Sequence, residues 1–485
     1  MIDLDHLEQY RENNRIEAKR ALGGLPHSLW ETYSAFANTL GGIILLGVEE
    51  RKDKSLHALD LPDPEKLVKE FWDLVNNPKK VSVNILSDKD VTVETVVGKH
   101  IVVIRVPRAD RAYKPVYIEG NPLNSYRRNG EGDYKCTDEE LKAMYRDAAV
   151  RTQDMLVLEN FDLDVFNAES LRSYRQRMRL SRPGHVWDTL ENVDFLLKLG
   201  AVGIGEDGKK HPTCAGLLMF GNEYDIVREY PQYFLDYREE HDDIHRWTDR
   251  IVSSSGDWSG NVYDFYFRVY NKLQLDLKVP FEMQGGLRVD DTPVHKAVRE
   301  ALANCLVNAD YYGRGGVVIV KKRGEITVTN PGNFRIGIDE AKSGGFSDPR
   351  NGAMLKFFNL IDIGERAGSG IPNILRVWRD QKWPEPGLIQ FFEPDRVSLS
   401  LSFEISNDKK VTTKEDDKKR RMKTAAQKEI IIDYLTDHAR ATVLELSKVL
   451  NVSAARVKKL IYELINEDLI VAEGANRNRT YRLKS

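Results

Sequence analysis

The spacing of hydrophobic and polar positions in the first 150 residues alternates between helical and strand periods. Residues 28–42 (SLWETYSAFANTLGG) have the period of an amphipathic helix and end in a Gly-Gly pair, which suits a helix C-terminus. The apolar run at 43–50 (IILLGVEE) predicts a buried strand, and residues 81–107 predict further strands joined by polar turns. Residues 138–152 predict another helix. This order of elements predicts an α/β domain over residues 1–150.

A second pattern of helices and strands extends to residue 406. Residues 151–292 predict a connecting α/β region, in which 211–222 (HPTCAGLLMFGN) reads as strands packed beside the module that follows. Pro293 suits the first position of a helix whose apolar residues recur with helical spacing. Residues 316–334 predict a hairpin of two strands. We therefore predict a separate α/β module over residues 293–406.

The last 80 residues contain a linker and a small domain. Residues 407–425 are densely charged with almost no apolar side chain, which is typical of a linker. Residues 426–485 predict three helices followed by a two-stranded hairpin, and Thr442 with Glu445 forms a capping-box pattern at the second helix. This order is that of a winged helix. The whole chain is thus predicted to be a multidomain α+β protein.

The length of 485 residues agrees with about three domains, and a content of 41% hydrophobic and 30% charged residues excludes a disordered or fibrous chain. The net charge of −3 conceals an uneven distribution. Residues 406–485 contain 18 basic and 12 acidic side chains, so the rest of the chain is acidic. The tail can attract nucleic acid by itself, whereas the body needs a local basic patch.

Neither a membrane span nor an export signal is predicted. The longest apolar run, residues 41–48, is far shorter than the roughly 18 residues that a bilayer requires, and the N-terminus lacks an apolar signal core. Cys136, Cys214 and Cys305 lie too far apart for a disulfide framework or a zinc ribbon. We expect a reduced, cytoplasmic protein with cysteines in its core.

Three carboxylates and a lysine near the N-terminus are candidate catalytic residues. Glu17 and Lys19 are two apart, so on a strand they share a face. Glu12 precedes that strand, and Glu50 ends the predicted strand at 43–50. Converging carboxylates can hold a divalent metal for phosphodiester cleavage. The spacing alone is more typical of solvated charges at a surface edge.

The first 140 residues resemble the Schlafen AlbA_2 domain. The shared features are a Glu, four residues and Glu-x-Lys at 12–19, the Ala-Phe-Ala-Asn-Thr-x-Gly-Gly helix end at 35–42, and Gly-Val-acid-acid at 47–50. KPVYI at 114–118 and the Tyr-x-Arg-x-Gly turn from Tyr126 also match. The resemblance implies nucleic-acid binding. Animal members cleave tRNA and rRNA with two Glu and one Asp, whereas many bacterial relatives are DNA-binding modules.

Residue by residue, the resemblance places a nuclease site that binds Mg²⁺ or Mn²⁺ at Glu12, Glu17 and Glu50, with Lys19 beside them. Glu50 stands where the animal proteins have Asp, and this chain has one copy of a domain that they duplicate. The basic side chains of this domain would contact phosphates if clustered; otherwise they belong to a solvated face. They are Arg105, Arg108, Arg111, Lys114, Arg127 and Arg128.

Candidate nucleotide-binding residues lie between 300 and 370. Glu300 and Asn304 share a face of one helix, where an Asn can ligate Mg²⁺ and a Glu can polarise water. Gly364, Gly368 and Gly370 precede another helix, where glycines allow backbone N–H groups to approach a phosphate. Each feature alone is also common in helices and turns that bind nothing.

Together these elements resemble a divergent GHKL-type (Bergerat) ATPase module, an α/β sandwich. The Arg-Glu-Ala-Leu-x-Asn pattern of the family falls on 299–304, with Asn308 in place of the family's His. An Asn-Pro-Gly turn at 330–332 replaces the Asp that binds adenine. The resemblance implies ATP as cofactor, with Asn304 as a metal ligand. The implied nucleotide-binding set is Glu300, Asn304, Asn308, Asn330, Gly332, Gly364, Gly368 and Gly370.

The winged-helix pattern implies DNA binding, with its third helix in the major groove and its hairpin against the backbone or minor groove. A winged helix that binds protein is the alternative, and the basic tail favours DNA. Winged-helix proteins commonly bind as dimers, so we expect a homo-oligomer. The predicted DNA contacts are Ser453, Arg456, Lys458, Lys459, Arg477 and Arg479.

The sequence therefore favours an ATP-binding, DNA-binding transcriptional regulator. The alternative is a metal-dependent endonuclease that cleaves RNA, such as tRNA, in stress or anti-phage defence. A third hypothesis is a binding scaffold with a degenerate ATP site.

Overall fold

The computed structural model divides the chain into two compact units, residues 1–403 and 404–485. The first unit is described at 4–240, 247–275, 277, 282–284, 287–289, 292–364, 368–392 and 394–403. The second is described at 427–428, 430–436, 438, 440–450, 457, 460–461, 464, 469–473 and 480–484.

The N-terminal part of the first unit is built on a four-stranded sheet in the order β1-β2-β6-β5. Strands β1 and β2 are parallel, and the other neighbours are antiparallel. One face of the sheet packs on α1 and α2, where Trp30 stacks on Phe71. The elements are β1 (Ile16–Lys19), α1 (Ser28–Asn38), β2 (Gly42–Leu46), β3 (Val48–Glu50), β4 (Leu56–Ala58), α2 (Pro64–Val75), β5 (Val91–Val96), β6 (Lys99–Val106), β7 (Tyr126–Asn129), β8 (Gly132–Lys135) and α3 (Asp138–Ala148).

Helix α1 ends where the Gly-Gly pair predicts. Gly41 has a φ of +74°, and a Cβ there would lie 2.8 Å from the carbonyl oxygen of Val106. Only glycine tolerates both constraints. The helix can therefore turn directly into β2, the central strand that carries the chain towards Glu50.

The rest of the first unit surrounds a six-stranded sheet in the order β12-β11-β15-β16-β18-β17. Strands β11 and β15 are parallel, and the remaining pairs are antiparallel. The elements are α4 (Ala168–Ser181), α5 (Asn192–Leu199), β9 (Val202–Ile204), β10 (Lys210–Pro212), α6 (Cys214–Phe220), α7 (Glu223–Glu229), β11 (Leu235–Glu240), β12 (Asp249–Val252), α8 (Val262–Gln274), β13 (Glu282–Gln284), β14 (Leu287–Val289), α9 (Pro293–Val307), β15 (Val317–Lys322), β16 (Glu325–Pro331), α10 (Ile338–Ser343), α11 (Gly352–Asn359), α12 (Gly370–Asp380), β17 (Gly387–Phe392) and β18 (Asp395–Ser402).

One hydrophobic core extends from Phe161 to Leu401 and crosses the boundary predicted at residue 293. Strand β11, from the predicted connecting region, pairs directly with β15. The connecting region and the following module therefore share one core. The prediction of strands at 211–222 is wrong beyond β10, because Thr213 accepts a hydrogen bond from the Gly216 N–H and begins α6.

The second unit has its own small core. It contains α13 (Val443–Leu450) and an antiparallel pair, β19 (Ile470–Glu473) and β20 (Thr480–Leu483). The capping box is present, since Thr442 Oγ1 accepts from the Glu445 N–H at 3.3 Å and the Glu445 carboxylate accepts from Thr442. The predicted DNA contacts lie outside the described residues: Ser453, Arg456, Lys458, Lys459, Arg477 and Arg479.

Within the described parts of the chain, no helix is both long and apolar enough to cross a bilayer.

Candidate functional sites

The predicted carboxylates of the N-terminal domain lie around the edge strand β1. Glu17 and Lys19 share a face, and Lys19 Nζ lies 2.6 Å from Glu17 Oε1. Glu12 reaches back over the strand, where its Oε1 accepts a hydrogen bond of 3.0 Å from the Ala18 N–H. Glu50 ends β3 and has Lys54 Nζ at 3.3 Å from its Oε2.

The three carboxylates are close enough to affect one another. Burial raises the pKa of Glu12, the Ala18 N–H opposes that shift, and the negative charges of Glu17 and Glu50 raise the pKa further. Glu50 Oε1 is buried without a hydrogen-bond partner in the described chain. Such a buried oxygen is suited to a cation, since an unpaired carboxylate oxygen is costly to bury.

The described residues nevertheless contain no cluster of three acidic, His or Cys side chains with the geometry of a metal site. Glu17 is instead neutralised by two cations, Lys19 on one oxygen and Arg128 Nη2 at 2.7 Å from the other. Divalent-metal ligation by Glu17 requires at least one of these cations to move.

Arg128 does not have the position that a phosphate contact requires. Its side chain is 1% exposed, and its guanidinium also binds Asp133 at 2.9 Å and the carbonyl oxygen of Asn13. The prediction that Arg128 contacts nucleic acid is therefore replaced by a structural role, which is to hold Glu17 and β1 in place. Arg127 pairs with a different residue, Glu140, with its Nε 2.9 Å from Glu140 Oε1.

A cavity between α9, α12 and the six-stranded sheet collects most of the predicted nucleotide-binding residues. We call it the nucleotide cavity; it encloses about 1030 Å³, part of it open to solvent. Its wall is largely apolar, with Ile371, Ile374 and Val397 among the lining residues. The predicted residues that line it are Glu300, Asn304, Asn308, Asn330, Gly368 and Gly370.

The two polar residues on α9 meet the N-terminus of α12. Asn304 Nδ2 donates to Glu300 Oε1 at 3.1 Å, and a Cβ built on Gly370 would lie 2.7 Å from Asn304 Nδ2 and closer still to Glu300 Oε1. A Cβ on Gly364 would lie 3.8 Å from Glu300 Oε2. The absence of a side chain at Gly370 thus lets the first turn of α12 approach the Glu-Asn pair.

Asn308 and Asn330, which line this cavity, also form hydrogen bonds within the fold. Asn308 caps α9 by donating to the Asn304 carbonyl at 3.0 Å, and Asn330 Nδ2 donates to the Pro331 carbonyl at 3.1 Å. Arg350 Nη1 donates to the Asn308 carbonyl at 2.7 Å. Both Asn side chains therefore have structural bonds in addition to the predicted ligand role.

Gly332 lies outside the nucleotide cavity. It lines a second space of about 1560 Å³ between the N-terminal domain and the six-stranded sheet, which we call the interdomain cavity. A Cβ on Gly332 would collide with Arg350, and its φ is +94°. Gly332 is thus needed for close approach of Arg350, and its predicted role in nucleotide binding is not supported by its position.

Several residues of these cavities were not predicted from the sequence. Asn333, Phe334 and Arg335 line both cavities. Arg108 donates to the Phe334 carbonyl, and Arg111 pairs with Asp348. No local pattern indicated these contacts, because each joins residues more than 200 positions apart.

Asp395 in the interdomain cavity has a pKa raised to about 7, mainly by burial and secondly by Glu140, although an Asn333 hydrogen bond opposes the shift. The folded chain therefore binds this proton more tightly than the unfolded chain, whose Asp titrates near 3.8. Stability is then lost as pH rises from about 4 to about 7.

We expect Asp395→Asn to be more stable than the wild type at pH 8 by roughly 2–4 kcal/mol, with a gap that closes towards pH 4. Urea unfolding of both proteins at pH 4 to 8 measures this. A gap that is constant across that range would contradict the shifted pKa.

Two solved structures are similar to the chain, one over its N-terminal part and the other over nearly its whole length. The N-terminal domain of "Putative ATP-dependent DNA Helicase RecG-related Protein" from Nitrosomonas europaea is 35% identical, with 28% of this chain and 90% of that chain covered and a TM-score of 0.22. The DIP2311 protein from Corynebacterium diphtheriae is 15% identical, with 97% of this chain and 95% of that chain covered and a TM-score of 0.40. No curated protein matches the chain.

Three segments of the chain match known families. Residues 142–236 match a domain of unknown function (DUF8451). Residues 12–137, which include all three candidate carboxylates, match the family described as "Schlafen, AlbA_2". Residues 317–400 match "Putative ATP-dependent DNA helicase recG C-terminal", a HATPase family; helix α9 precedes this segment. The chain therefore contains a Schlafen AlbA_2 domain followed by a recG-like HATPase domain.

Proposed function

We propose that this protein is an ATP-binding, DNA-binding transcriptional regulator that acts as a cytoplasmic homo-oligomer. The nucleotide cavity supports the proposal most directly. It brings Glu300 and Asn304 against the glycine-rich start of α12 at the edge of the segment that matches the HATPase family.

In this proposal the phosphates lie at the N-terminus of α12, where Gly368 and Gly370 leave the backbone N–H groups accessible. Asn304 holds Mg²⁺, which neutralises phosphate charge. Glu300 orients Asn304 through their hydrogen bond, and the apolar wall around Ile374 receives the base. Asn330 occupies the place of the Asp that binds adenine in the GHKL family.

DNA binding is assigned to the second unit. Its core, hairpin and capped helix α13 agree with the winged-helix prediction, and its net positive charge favours DNA over a protein partner. The AlbA_2 domain is a second nucleic-acid-binding module in this proposal.

We expect Asn304→Ala to weaken Mg²⁺-ATP binding by at least about tenfold, because it removes the proposed metal ligand. Titration calorimetry on the full chain measures the affinity. Asn271→Ala on the neighbouring helix α8 is the matched control, since Asn271 is exposed and outside the cavity.

Equal affinities for the two variants would reject the nucleotide site. Gel shifts of the full chain with and without ATP, over a range of salt concentrations, test the regulator itself. Absence of salt-sensitive DNA binding in both states would contradict it.

The second candidate function is metal-dependent cleavage of RNA by the AlbA_2 domain. It is favoured by the buried, unpartnered Glu50 oxygen beside Glu12 and Glu17. With tRNA and Mn²⁺ or Mg²⁺, this candidate predicts cleavage by the wild type and almost none by Glu17→Gln or Glu50→Gln. Glu49→Gln on the same strand is the control. Equal cleavage by all four proteins, or none by the wild type, removes this candidate.

A further inference from the structure

The interdomain cavity contains more positive than negative side chains. Eight basic and five acidic residues line it, drawn from the AlbA_2 domain and from the sheet that carries the nucleotide cavity. Six of the basic residues have acidic partners. These are Arg127 with Glu140, Arg146 with Asp310, Arg314 with Glu139 and Arg350 with Asp147, while Arg111 and Arg335 share Asp348.

The remaining two cations, Arg108 and Lys114, bind only neutral oxygens in the described part of the chain. Arg108 donates to the Phe334 carbonyl and, at 3.3 Å, to Gln390 Oε1. Lys114 Nζ donates to the Asn38 carbonyl at 2.7 Å.

Burial lowers the pKa of both groups, strongly for Lys114. Asp147 and Asp395 are the acidic residues that act on both cations, but Asp147 is already paired with Arg350. Burial raises the pKa of Asp395 to about 7, so that near neutral pH it is only partly charged. Two half-buried cations without a full counter-charge are unfavourable unless an anion joins them. The uncompensated positive charge in the cavity therefore favours binding of a negatively charged ligand.

We propose that the interdomain cavity binds the phosphate group of a phosphorylated ligand, held between Arg108 and Lys114. A phosphate monoester carries up to two negative charges, which match these two cations, and its oxygens suit the guanidinium fork. This site is separate from the nucleotide cavity, although Asn333, Phe334 and Arg335 line both.

Calorimetric titration of the full chain with inorganic pyrophosphate tests the site. We expect Lys114→Gln, which keeps a donor but removes the charge, to weaken binding by at least about tenfold, since a charge-assisted hydrogen bond is lost. Arg314→Gln in the same lining is the matched control and should bind as the wild type does, because Arg314 is exposed and paired with Glu139. Asn304→Ala, in the nucleotide cavity, should also retain pyrophosphate binding.

No binding by the wild type, or equal binding by Lys114→Gln, would overturn the proposal, and so would loss of binding in Asn304→Ala. If Lys114→Gln does not fold, Arg108→Lys replaces it; this variant keeps the charge but not the fork, and undiminished binding would again overturn the proposal. Competition by a short single-stranded oligonucleotide identifies the source of the phosphate. Displacement indicates nucleic acid and no displacement indicates a free phosphorylated molecule, and either result supports the site.

Discussion

Replacement of Arg350 by alanine should lower the free energy of unfolding of the first unit by about 3–5 kcal/mol. Arg350 is 7% exposed and forms two parallel bonds with Asp147, Nε to Oδ1 at 2.9 Å and Nη2 to Oδ2 at 2.7 Å. The same guanidinium donates to the carbonyl oxygens of Asn308 and Asn333. Four acceptors therefore lose a donor in one substitution, and the Asn308 carbonyl retains only the longer contact of 3.4 Å from Asn330 Nδ2.

The charge left behind accounts for most of this cost. Burial alone would raise the pKa of Asp147, but Arg350 lowers it below the usual range, so the carboxylate depends on its partner. Without Arg350, Asp147 is buried as an anion with weaker compensation or must take up a proton. The variant should therefore recover part of its stability at acidic pH.

Arg314→Ala is the matched control for this prediction. Arg314 also pairs with an acidic residue of α3, with Nη2 at 2.7 Å from Glu139, but both side chains are at least half exposed. An exposed pair contributes little, because water and salt screen it. Urea unfolding of both variants measures the difference, and equal stabilities would show that the Arg350 network is not the main contact between α3 and the sheet domain.

The position of Arg350 also connects the two domains of the first unit energetically. It joins Asp147 on α3, the helix that directly follows the segment matching the AlbA_2 family, to Asn308. Asn308 is the C-cap of α9, the helix that carries Glu300 and Asn304. Arg108 and Arg111 add contacts from the AlbA_2 domain to Phe334 and Asp348, two residues that line the nucleotide cavity. Ligand binding in that cavity and the placement of the AlbA_2 domain should therefore influence each other.

Local signals in the sequence were enough to predict most elements near the candidate sites. Pro293 marks the start of α9, the strands at 316–334 form the predicted hairpin, and Thr442 caps α13. Each of these depends on residues a few positions apart, where backbone preference and side-chain periodicity decide the structure.

The sequence-based predictions failed where the structure depends on complete burial or on contacts between residues far apart in the chain. The run at 214–220 is buried on all sides, so its apolar residues show no period, and only the Thr213 cap distinguishes its helix from a strand. Arg128 was predicted to be a surface cation, but its side chain is buried because it forms ion pairs with Glu17 and Asp133. The Arg350–Asp147 pair joins residues 203 positions apart, and no local pattern indicates such a contact.

Substitution of Gly370 by alanine should weaken Mg²⁺-ATP binding by about one to two orders of magnitude. A new Cβ would lie 2.7 Å from Asn304 Nδ2 and nearer to Glu300 Oε1, so that both side chains must move. Their hydrogen bond of 3.1 Å, and with it the proposed metal ligand, would be displaced.

Helix propensity alone predicts that Gly370→Ala raises the free energy of unfolding, whereas the collision with Glu300 and Asn304 predicts that it lowers it. The substitution therefore separates the two effects. Gly370 is the first residue of α12, and alanine is favoured over glycine in a helix by at most about 1 kcal/mol, the value for a helix interior. Gly337→Ala, at the cap of α10, is the matched control, because its nearest contact would be 3.8 Å away. Thermal unfolding and ATP titration of both variants separate the two effects. A Gly370→Ala protein that is more stable than the wild type and still binds ATP would mean that the close approach of α12 to Glu300 and Asn304 serves no nucleotide.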